Sequence, residues 1–433
     1  MINIKNINPG DVKLGVLGAG KSGLSVSKLA KYLGFNILLS ESNKPQNELD
    51  LKGIDFEVGG HTDKILDSDL IIKSPGIPND ISIIKKAIKK NIPIISEVEF
   101  ASWFSDSPII GVTGTNGKTT TVNLIHNIFL KAGFESMLGG NVGIPFSDNV
   151  YKEILSENQN GIHILELSSF QLEHIPHLSL DVACILNISR DHLDRYNSFE
   201  KYIDTKLNII KAVKSNGFIT FNNNDSILKE KIINKHNTIP FSYKDVQSEI
   251  FKLDEIHLRG IHNHSNISAA LAVSKIYNID FEIFIKSIKD FKPLPHRIEY
   301  ILTLNKTKIY NDSKSTNIDS MSVAIDAFNQ NIVIIVGGID KESSDFLNVF
   351  REYSNKITHV VCYGESGQLI FNQIKNHIKS SYNKNFEISV SNALSKCKGD
   401  DVLLFSPGCA SYDQFKNYID RGNKFKEIIF GLS

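Results

Sequence analysis

The sequence is poor in the features that mark secreted, membrane-bound or nucleic-acid-binding proteins. Its four cysteines, Cys184, Cys362, Cys397 and Cys409, are scattered and form no CxxC pair. That argues against a disulfide framework or a zinc site and for reduced thiols in the cytoplasm. No apolar run approaches the ~20 residues of a membrane span, and the opening MINIKNINPGDVK lacks the apolar stretch of a secretory signal. A charge surplus is missing too. The 48 basic residues balance the 48 acidic ones, so neither nucleic acid nor an acidic membrane surface is expected as a partner. No short repeat or low-complexity tract is present. What remains is a globular composition, 41% hydrophobic and 22% charged. A chain of 433 residues is too long for one ordinary core, and roughly two to four domains are expected.

Short apolar runs alternate with helical stretches over the first hundred residues. Positions 14–17, 37–39, 70–72 and 94–95 read as strands. SGLSVSKLAKYLG, between the first two, is apolar at helical spacing and stopped by Gly34. Such alternation predicts a parallel sheet with crossover helices. A second unit opens at Ile109 with a strand, a glycine loop and the helix TTVNLIHNIFLKAG, then continues through the strands HILEL (163–167) and VACILN (182–187). FKPLPHRIE (291–299), with two prolines, reads as an interdomain connection. A third α/β unit follows, with strands at 332–336, 358–363 and 402–406; the Asn/Lys-rich stretches 222–237 and 375–385 read as solvated surface. The predicted fold is three-domain α/β. It comprises a Rossmann-like N-terminal domain (1–95), a central P-loop ATPase-type domain (96–293) and a C-terminal Rossmann-like α/β domain (294–433).

The strongest chemical signal is GVTGTNGKTTT (111–121), where a strand runs into glycines 111, 114 and 117 and Lys118 and Thr119 open a helix. Glycines let backbone N–H groups wrap an anion, and the helix N-terminus adds a favourable dipole. Lys118 would neutralise ATP β/γ-phosphates and the Thr119 hydroxyl would ligate Mg²⁺. The spacing departs from the common P-loop, which wants glycine at 112, where this chain has Val112. GAGKSG (Gly18, Gly20, Gly23), with Glu41 ending the next strand, fits a diphosphate-containing nucleotide such as NAD, FAD or a UDP-linked compound. Taken alone it is a weak signal, which a tight strand–helix turn or an NAD-dependent oxidoreductase would also carry. Glu166 in ELSSFQLE sits at the carboxyl end of a strand, the edge where open α/β sheets bind ligands. His192 follows the next strand, and the two are candidate metal neighbours for ATP; Lys206 reads as a surface lysine on a helix.

These segments stand in a fixed order: GAGKSG, SPGI, GVTGTNGKTTT, GGNVG, LELSSFQL, DHLDRY, GIHNHSNISAA, PHRIE, NDSKSTN, GGIDK and SPGCASYDQF. In that order they resemble the Mur ligases of peptidoglycan synthesis over essentially the whole chain. LSSFQL, NDSKSTN and SPGCASYDQFKNYIDRGNKF resemble the members that add D-glutamate to UDP-N-acetylmuramoyl-L-alanine. The resemblance implies a cytoplasmic, monomeric, ATP- and Mg²⁺-dependent ligase forming an acyl phosphate; because water hydrolyses that intermediate and the connection holds prolines, the domains are expected to close over the reactants. It implies ATP contacts from Gly114, Thr115, Asn116, Gly117, Lys118, Thr119, Thr120, Asn266, Arg297 and Asp312. Metal ligation falls to Thr119, Glu166, His192 and a carbamylated Lys206, and catalysis to Lys118, His192, Lys206 and Arg297. Gly18, Gly20, Lys21, Ser22, Glu41, Ser74 and Asn141 are implied for the UDP-linked substrate, and Lys314, Thr316, Lys341, Ser411 and Tyr418 for D-glutamate. One departure is visible: GGIDKESSDF carries an additional residue after Lys341, which bears on the local geometry of the amino-acid pocket. Other Mur ligases, folylpolyglutamate synthase and a non-catalytic nucleotide-binding regulator are the alternatives at this point.

Overall fold

The computed structural model describes residues 8–43, 52–156, 160–191, 195–196, 198–233, 235, 237–246, 256–258, 260–340 and 344–432. Three sheets account for its strands. The first contains β1 (Lys13–Leu17), β2 (Asn36–Glu41), β3 (Asp55–Val58), β4 (Leu70–Lys73) and β5 (Ile94–Ser96), in the order β3-β2-β1-β4-β5 and parallel throughout. Its helices are α1 (Lys21–Tyr32), α2 (Ser82–Lys89) and α3 (Glu97–Ser102). The second contains β6 (Ile109–Thr113), β7 (Glu135–Gly140), β8 (Gly161–Glu166), β9 (Leu180–Ile185), β10 (Val213–Asn222) and β11 (Thr238–Phe241). Their order is β11-β10-β9-β6-β8-β7, again parallel. The helices that follow are α4 (Lys118–Lys131), α5 (Phe146–Ser156), α6 (Phe199–Lys211), α7 (Ser226–Ile232), α8 (Ile261–Ile276) and α9 (Phe281–Asp290).

The third sheet contains β12 (Glu299–Leu304), β13 (Thr307–Asn311), β14 (Ile332–Gly337), β15 (Ile357–Tyr363), β16 (Ser380–Asn383) and β17 (Val402–Gly408). Its order is β12-β13-β17-β14-β15-β16, parallel except for the β12–β13 hairpin at one edge. Helices α10 (Ile318–Asp326), α11 (Phe346–Glu352), α12 (Gly367–Ile374), α13 (Phe386–Lys396) and α14 (Tyr418–Leu432) complete it. The chain divides into two compact units, one holding the first two sheets and the other the third.

Burial explains which strands the sequence announces. β6, β8 and β14 are buried along their whole length, and central parallel strands covered on both faces become continuous apolar runs. Edge strands such as β3, β16 and β7 (ESMLGG, ending in two glycines) carry no such run, and the sequence reading contains none of them. The tract 222–237 also differs from the solvated surface expected of it. It contains α7, capped by the Asp225 side chain on the Leu228 N–H, with Leu228 and Ile232 buried.

Within the first unit one apolar core runs from Leu14 in the first sheet to Phe221 in the second. Helix α5 fastens the two sheets together. Tyr151 meets Tyr32 edge-on at 5.0 Å, and the N–H and hydroxyl of Ser147 both donate to Glu97 Oε1 at the start of α3. Burial raises the Glu97 carboxyl to about 7 in spite of those two hydrogen bonds.

Candidate functional site

The phosphate loop is built by a buried strand, two glycines with positive φ, and a clamp from the neighbouring strand. β6 ends at Thr113, Gly114 takes φ +157° and Gly117 takes φ +86° as the N-cap of α4. A Cβ on Gly117 would lie 2.4 Å from Asn266 Oδ1, so only glycine lets the chain pass there. Asn187, just beyond β9, holds the loop from the side. Its carbonyl accepts the Thr115 N–H at 2.9 Å, its Oδ1 the Asn116 N–H at 2.8 Å, and its Nδ2 donates to the Asn116 carbonyl at 3.0 Å. Lys118, first residue of α4, donates to the carbonyls of Gly114 and Thr115 at 2.7 and 2.8 Å. Thr119 and Thr120 are buried in the first turn.

Lys206 is not on the surface. It lies on α6 at 2% exposure, with Nζ 2.9 Å from the Gly114 carbonyl. Its amine also stands 4.8 Å over the Tyr202 ring, and the Tyr202 hydroxyl bonds Thr115 Oγ1 at 3.1 Å. Lys118 and Lys206 therefore converge on a single carbonyl oxygen. Asn266, in α8, accepts from the Thr121 hydroxyl at 3.2 Å, which places its side chain against the first turn of α4.

Glu166 closes β8 opposite Val112 of β6 and Gly140 of β7. It is buried; Oε1 accepts from Asn141 Nδ2 at 2.8 Å, while Oε2 has no hydrogen-bond partner. A buried carboxylate oxygen without a partner is costly, and a divalent cation is the kind of ligand that would satisfy it. The Thr119 hydroxyl opens the adjacent helix, so the oxygen donors fit a hard cation such as Mg²⁺. Among the described residues no group of three or more His, Cys, Asp or Glu forms a metal cluster. His192 lies outside the described residues.

The first-sheet glycine loop forms a second tight strand-to-helix turn. Gly18 takes φ +93°, Gly20 caps α1, and a Cβ on Gly23 would overlap the Gly18 carbonyl at 1.8 Å. Lys21 and Ser22 open α1, with Lys21 exposed. Glu41 Oε2 accepts the Ala19 N–H at 2.7 Å and Oε1 the Asn43 N–H at 3.0 Å. Burial pushes this carboxyl up, but those hydrogen bonds outweigh it and the net shift is downward. Ser74 donates from Oγ to the Gly18 carbonyl at 3.3 Å, so Gly18, Glu41 and Ser74 meet at one sheet edge.

In the second unit Arg297 sits in a strained turn between His296 at φ +63° and Ile298 at φ +47°, a conformation a β-branched residue rarely adopts. Asp312 holds it, accepting the Ile298 N–H at 3.2 Å and the Ser406 hydroxyl at 2.8 Å. Burial raises the Asp312 carboxyl to about 7 against those hydrogen bonds and the charge of Arg297. Lys314 Nζ stands 4.2 Å over the Tyr418 ring, Ser411 is buried nearby in sequence to α14, and Thr316 is exposed. Lys341 lies outside the described residues.

Four residues of these sites went unread in the sequence. Arg421 is fully buried and donates to the carbonyls of Ser313 and Cys409 at 2.8 and 2.9 Å and to Ser313 Oγ at 3.0 Å, tying together the turns that carry Lys314 and Ser411. Asn187 carries a usable signal, a side-chain amide directly after an apolar strand. Glu173 and Arg195 form a buried ion pair at 2.9 Å, and nothing local marks either.

Comparison with known proteins gives a consistent result. Residues 112–274 match the Mur ligase middle domain and residues 13–83 the MurD N-terminal domain. The UDP-N-acetylmuramoylalanine–D-glutamate ligase of Salinibacter ruber is 31% identical over 449 residues, covering 96% of each chain. The ligase of the same name from Cytophaga hutchinsonii is 36% identical, covering 97% of this chain and 99% of its own. Among solved structures, a MurF ligase from Thermotoga maritima in complex with ADP superposes with a TM-score of 0.59 at 18% identity, covering 100% of this chain and 98% of its own. At that identity the likeness speaks for the three-domain fold. No helix among the described residues is long and apolar enough to cross a membrane.

Proposed function

The chain belongs to the Mur ligase family, among the UDP-N-acetylmuramoylalanine–D-glutamate ligases, and from that premise we propose how its own residues perform the reaction. ATP drives an amide bond between the alanine carboxylate of UDP-N-acetylmuramoyl-L-alanine and the amine of D-glutamate, a step of peptidoglycan synthesis. The carboxylate attacks the γ-phosphate and releases ADP. The amine then attacks the acyl phosphate, and phosphate leaves.

The pinned loop is the observation that carries this reading. Phosphoryl transfer needs positioning and charge neutralisation more than covalent chemistry. Asn187 fixes the loop through the Thr115 and Asn116 N–H groups, and the N–H groups at the start of α4 would then meet the phosphates with little reorganisation. Lys118 would leave the Gly114 and Thr115 carbonyls for the transferred phosphate. Glu166 and Thr119, with His192, would hold Mg²⁺, which supplies charge neutralisation for the phosphates. Asn141 orients the Glu166 carboxylate. Carbamylation of Lys206 would replace a cation that shares an acceptor with Lys118 by an anion, turning a like-charge contact into an attractive one. Asn266, Arg297 and Asp312 are assigned to ATP. Gly18, Gly20, Lys21, Ser22, Glu41 and Ser74 are assigned to the UDP-linked substrate, and Lys314, Thr316, Lys341, Ser411 and Tyr418 to D-glutamate. On this reading residues 1–95 would receive the UDP-linked substrate, 96–293 ATP and 294–433 the amino acid, in a cytoplasmic monomer.

The test is phosphate release with ATP, Mg²⁺ and UDP-N-acetylmuramoyl-L-alanine, adding amino acids singly. Release only with D-glutamate is expected. Release with another amino acid instead would reassign the amino-acid pocket, and release with none would remove the ligase reading.

A further inference from the structure

A buried ionic network joins β4 of the first sheet to the second sheet directly beneath the turn Ser74 to Ile77. Glu173 is its hub. The carboxylate accepts from Arg195 Nε and Nη2 at 3.2 and 2.9 Å, Tyr196 OH at 3.0 Å and Asn79 Nδ2 at 2.9 Å, with Lys73 Nζ at 3.5 Å. The side chains of Lys73, Glu173 and Arg195 are only 1%, 7% and 16% exposed. Arg195 lies 4.0 Å over the Phe170 ring and uses its remaining reach on the turn itself, donating to the Pro75 carbonyl at 3.0 Å and the Ile77 carbonyl at 3.4 Å. Lys73 donates to the same Ile77 carbonyl at 2.9 Å.

Two features set this apart from a structural ion pair. Two basic groups face one carboxylate; burial lowers the Lys73 amine to about 8 although Glu173 opposes it, so below that pH the network buries a surplus positive charge, which neutral packing would avoid. Burial, with the nearby Lys73 and Arg195 charges, also holds His174 neutral, down to about 4. Further, the turn is held by its carbonyls. In a trans peptide C=O and N–H point in opposite directions, so anchoring the Pro75 carbonyl inward turns the Gly76 N–H toward the exposed face. At the start of the same turn the Ser74 hydroxyl donates to the Gly18 carbonyl at 3.3 Å, joining it to the glycine loop before α1.

We propose that Arg195, braced by Glu173 and Lys73, is a positioning residue that holds the Ser74 to Ile77 turn in the form that receives the diphosphate of the UDP-linked substrate. This rests on the reading of that turn as the UDP-substrate site. Arg195 acts through the Pro75 and Ile77 carbonyls, and the network adds net positive charge beneath them.

The experiment uses the full chain with Arg195→Ala, Arg195→Lys and Glu173→Gln. For Arg195→Ala, KM for UDP-N-acetylmuramoyl-L-alanine should rise about tenfold or more, a loss of roughly 1.4 kcal/mol, while KM for ATP and D-glutamate stays within about twofold and kcat within about threefold. Arg195→Lys, which keeps the charge and loses the fork, should recover part of the loss, and Glu173→Gln should fall between. Amide exchange at Ile77, whose N–H donates to the Ser74 carbonyl at 3.1 Å, should quicken in Arg195→Ala. An equal rise in all three KM values, or an unchanged one in a folded variant, overturns the proposal. Should Arg195→Ala fail to fold, unchanged KM in both conservative variants overturns it. If the wild type turns over none of these substrates, the functional reading fails separately. Exchange at Ile77 and calorimetric binding of UDP then decide, and no change in either refutes the network's role.

Discussion

Replacing Gly117 by alanine tests whether the phosphate loop is shaped as the structure has it, and Gly133 supplies the control. Both glycines take φ +86° in the first unit, one before α4 and one after it. A Cβ at Gly133 meets nothing within 4 Å, whereas one at Gly117 lies 2.4 Å from Asn266 Oδ1 and 3.3 Å from Leu186 Cδ1. Gly133→Ala therefore isolates the left-handed cost of about 1 kcal/mol. Gly117→Ala adds displacement of Asn266 and loss of its bond from the Thr121 hydroxyl, roughly 1 kcal/mol more. The single tryptophan, Trp103, lies in the same unit and bonds Glu99 Oε1 at 3.0 Å. Its fluorescence in guanidinium thus reports the unit that carries both glycines. Gly117→Ala should unfold with a stability loss about 1 kcal/mol larger than Gly133→Ala, and it alone should raise KM for ATP. Equal losses with equal ATP kinetics would refute the close approach of Asn266 to the loop.

Glu166→Gln keeps an acceptor for Asn141 and removes the charge of the unpartnered oxygen. The Mg²⁺ concentration for half-maximal turnover should rise about tenfold with the unfolding midpoint unmoved, and an unchanged Mg²⁺ requirement would take Glu166 out of the metal site. Lys206→Ala should abolish turnover, and high bicarbonate should not restore it; retained activity would remove Lys206 from the chemistry. Glu97→Gln tests a buried carboxyl whose folded value, about 7, stands above its unfolded 4.5. The wild type loses stability as pH rises between those values, so the advantage of the glutamine variant should grow by about 3 kcal/mol across that window and stay flat above it. A pH-independent difference between the two proteins would contradict the buried placement of Glu97.

Legibility in the sequence follows the range of the interactions concerned. Central strands and the helix starts at Lys21 and Lys118 are local patterns, and the chain announces them. The position of Glu166 at the end of β8 was legible because a strand end is also local. The residues alone read Lys206 as a surface lysine, and the structure buries it. Its burial depends on the Gly114 carbonyl, 92 residues away, and a lysine on an amphipathic helix carries no mark of what its amine will meet. The same holds for Arg195, whose bonds to Pro75 and Ile77 span 120 and 118 residues. Arg421 reaches Ser313 across 108 residues, from a helix whose apolar face, with Phe425 and Ile429 buried, accounts for its packing without it. Polar groups that organise a site by long-range contacts to backbone carbonyls leave no periodicity behind.

The misfit of the loop to the common spacing has a structural cause of the same kind. Where the general pattern wants glycine, Val112 is fully buried, pairs with Glu166 on one side and Cys184 on the other, and accepts the Leu167 N–H at 2.9 Å. Position 112 is therefore strand, and a glycine there would empty a packed site at a cost of about 2 kcal/mol or more. The turn begins later, at Gly114, where a Cβ would lie 2.9 Å from Leu186 Cβ. Leu186 and Asn187 continue β9 alongside the loop, with the Leu186 N–H on the Thr113 carbonyl at 2.9 Å. Glycine is thus required where the loop presses against the extension of β9 and is dispensable two residues earlier, inside the strand. In a loop that bends around its ligand unaided, glycines supply the curvature. Here Asn187 supplies much of it through three hydrogen bonds, so Asn187→Ala should loosen the loop although residue 187 lies about seventy positions away along the chain.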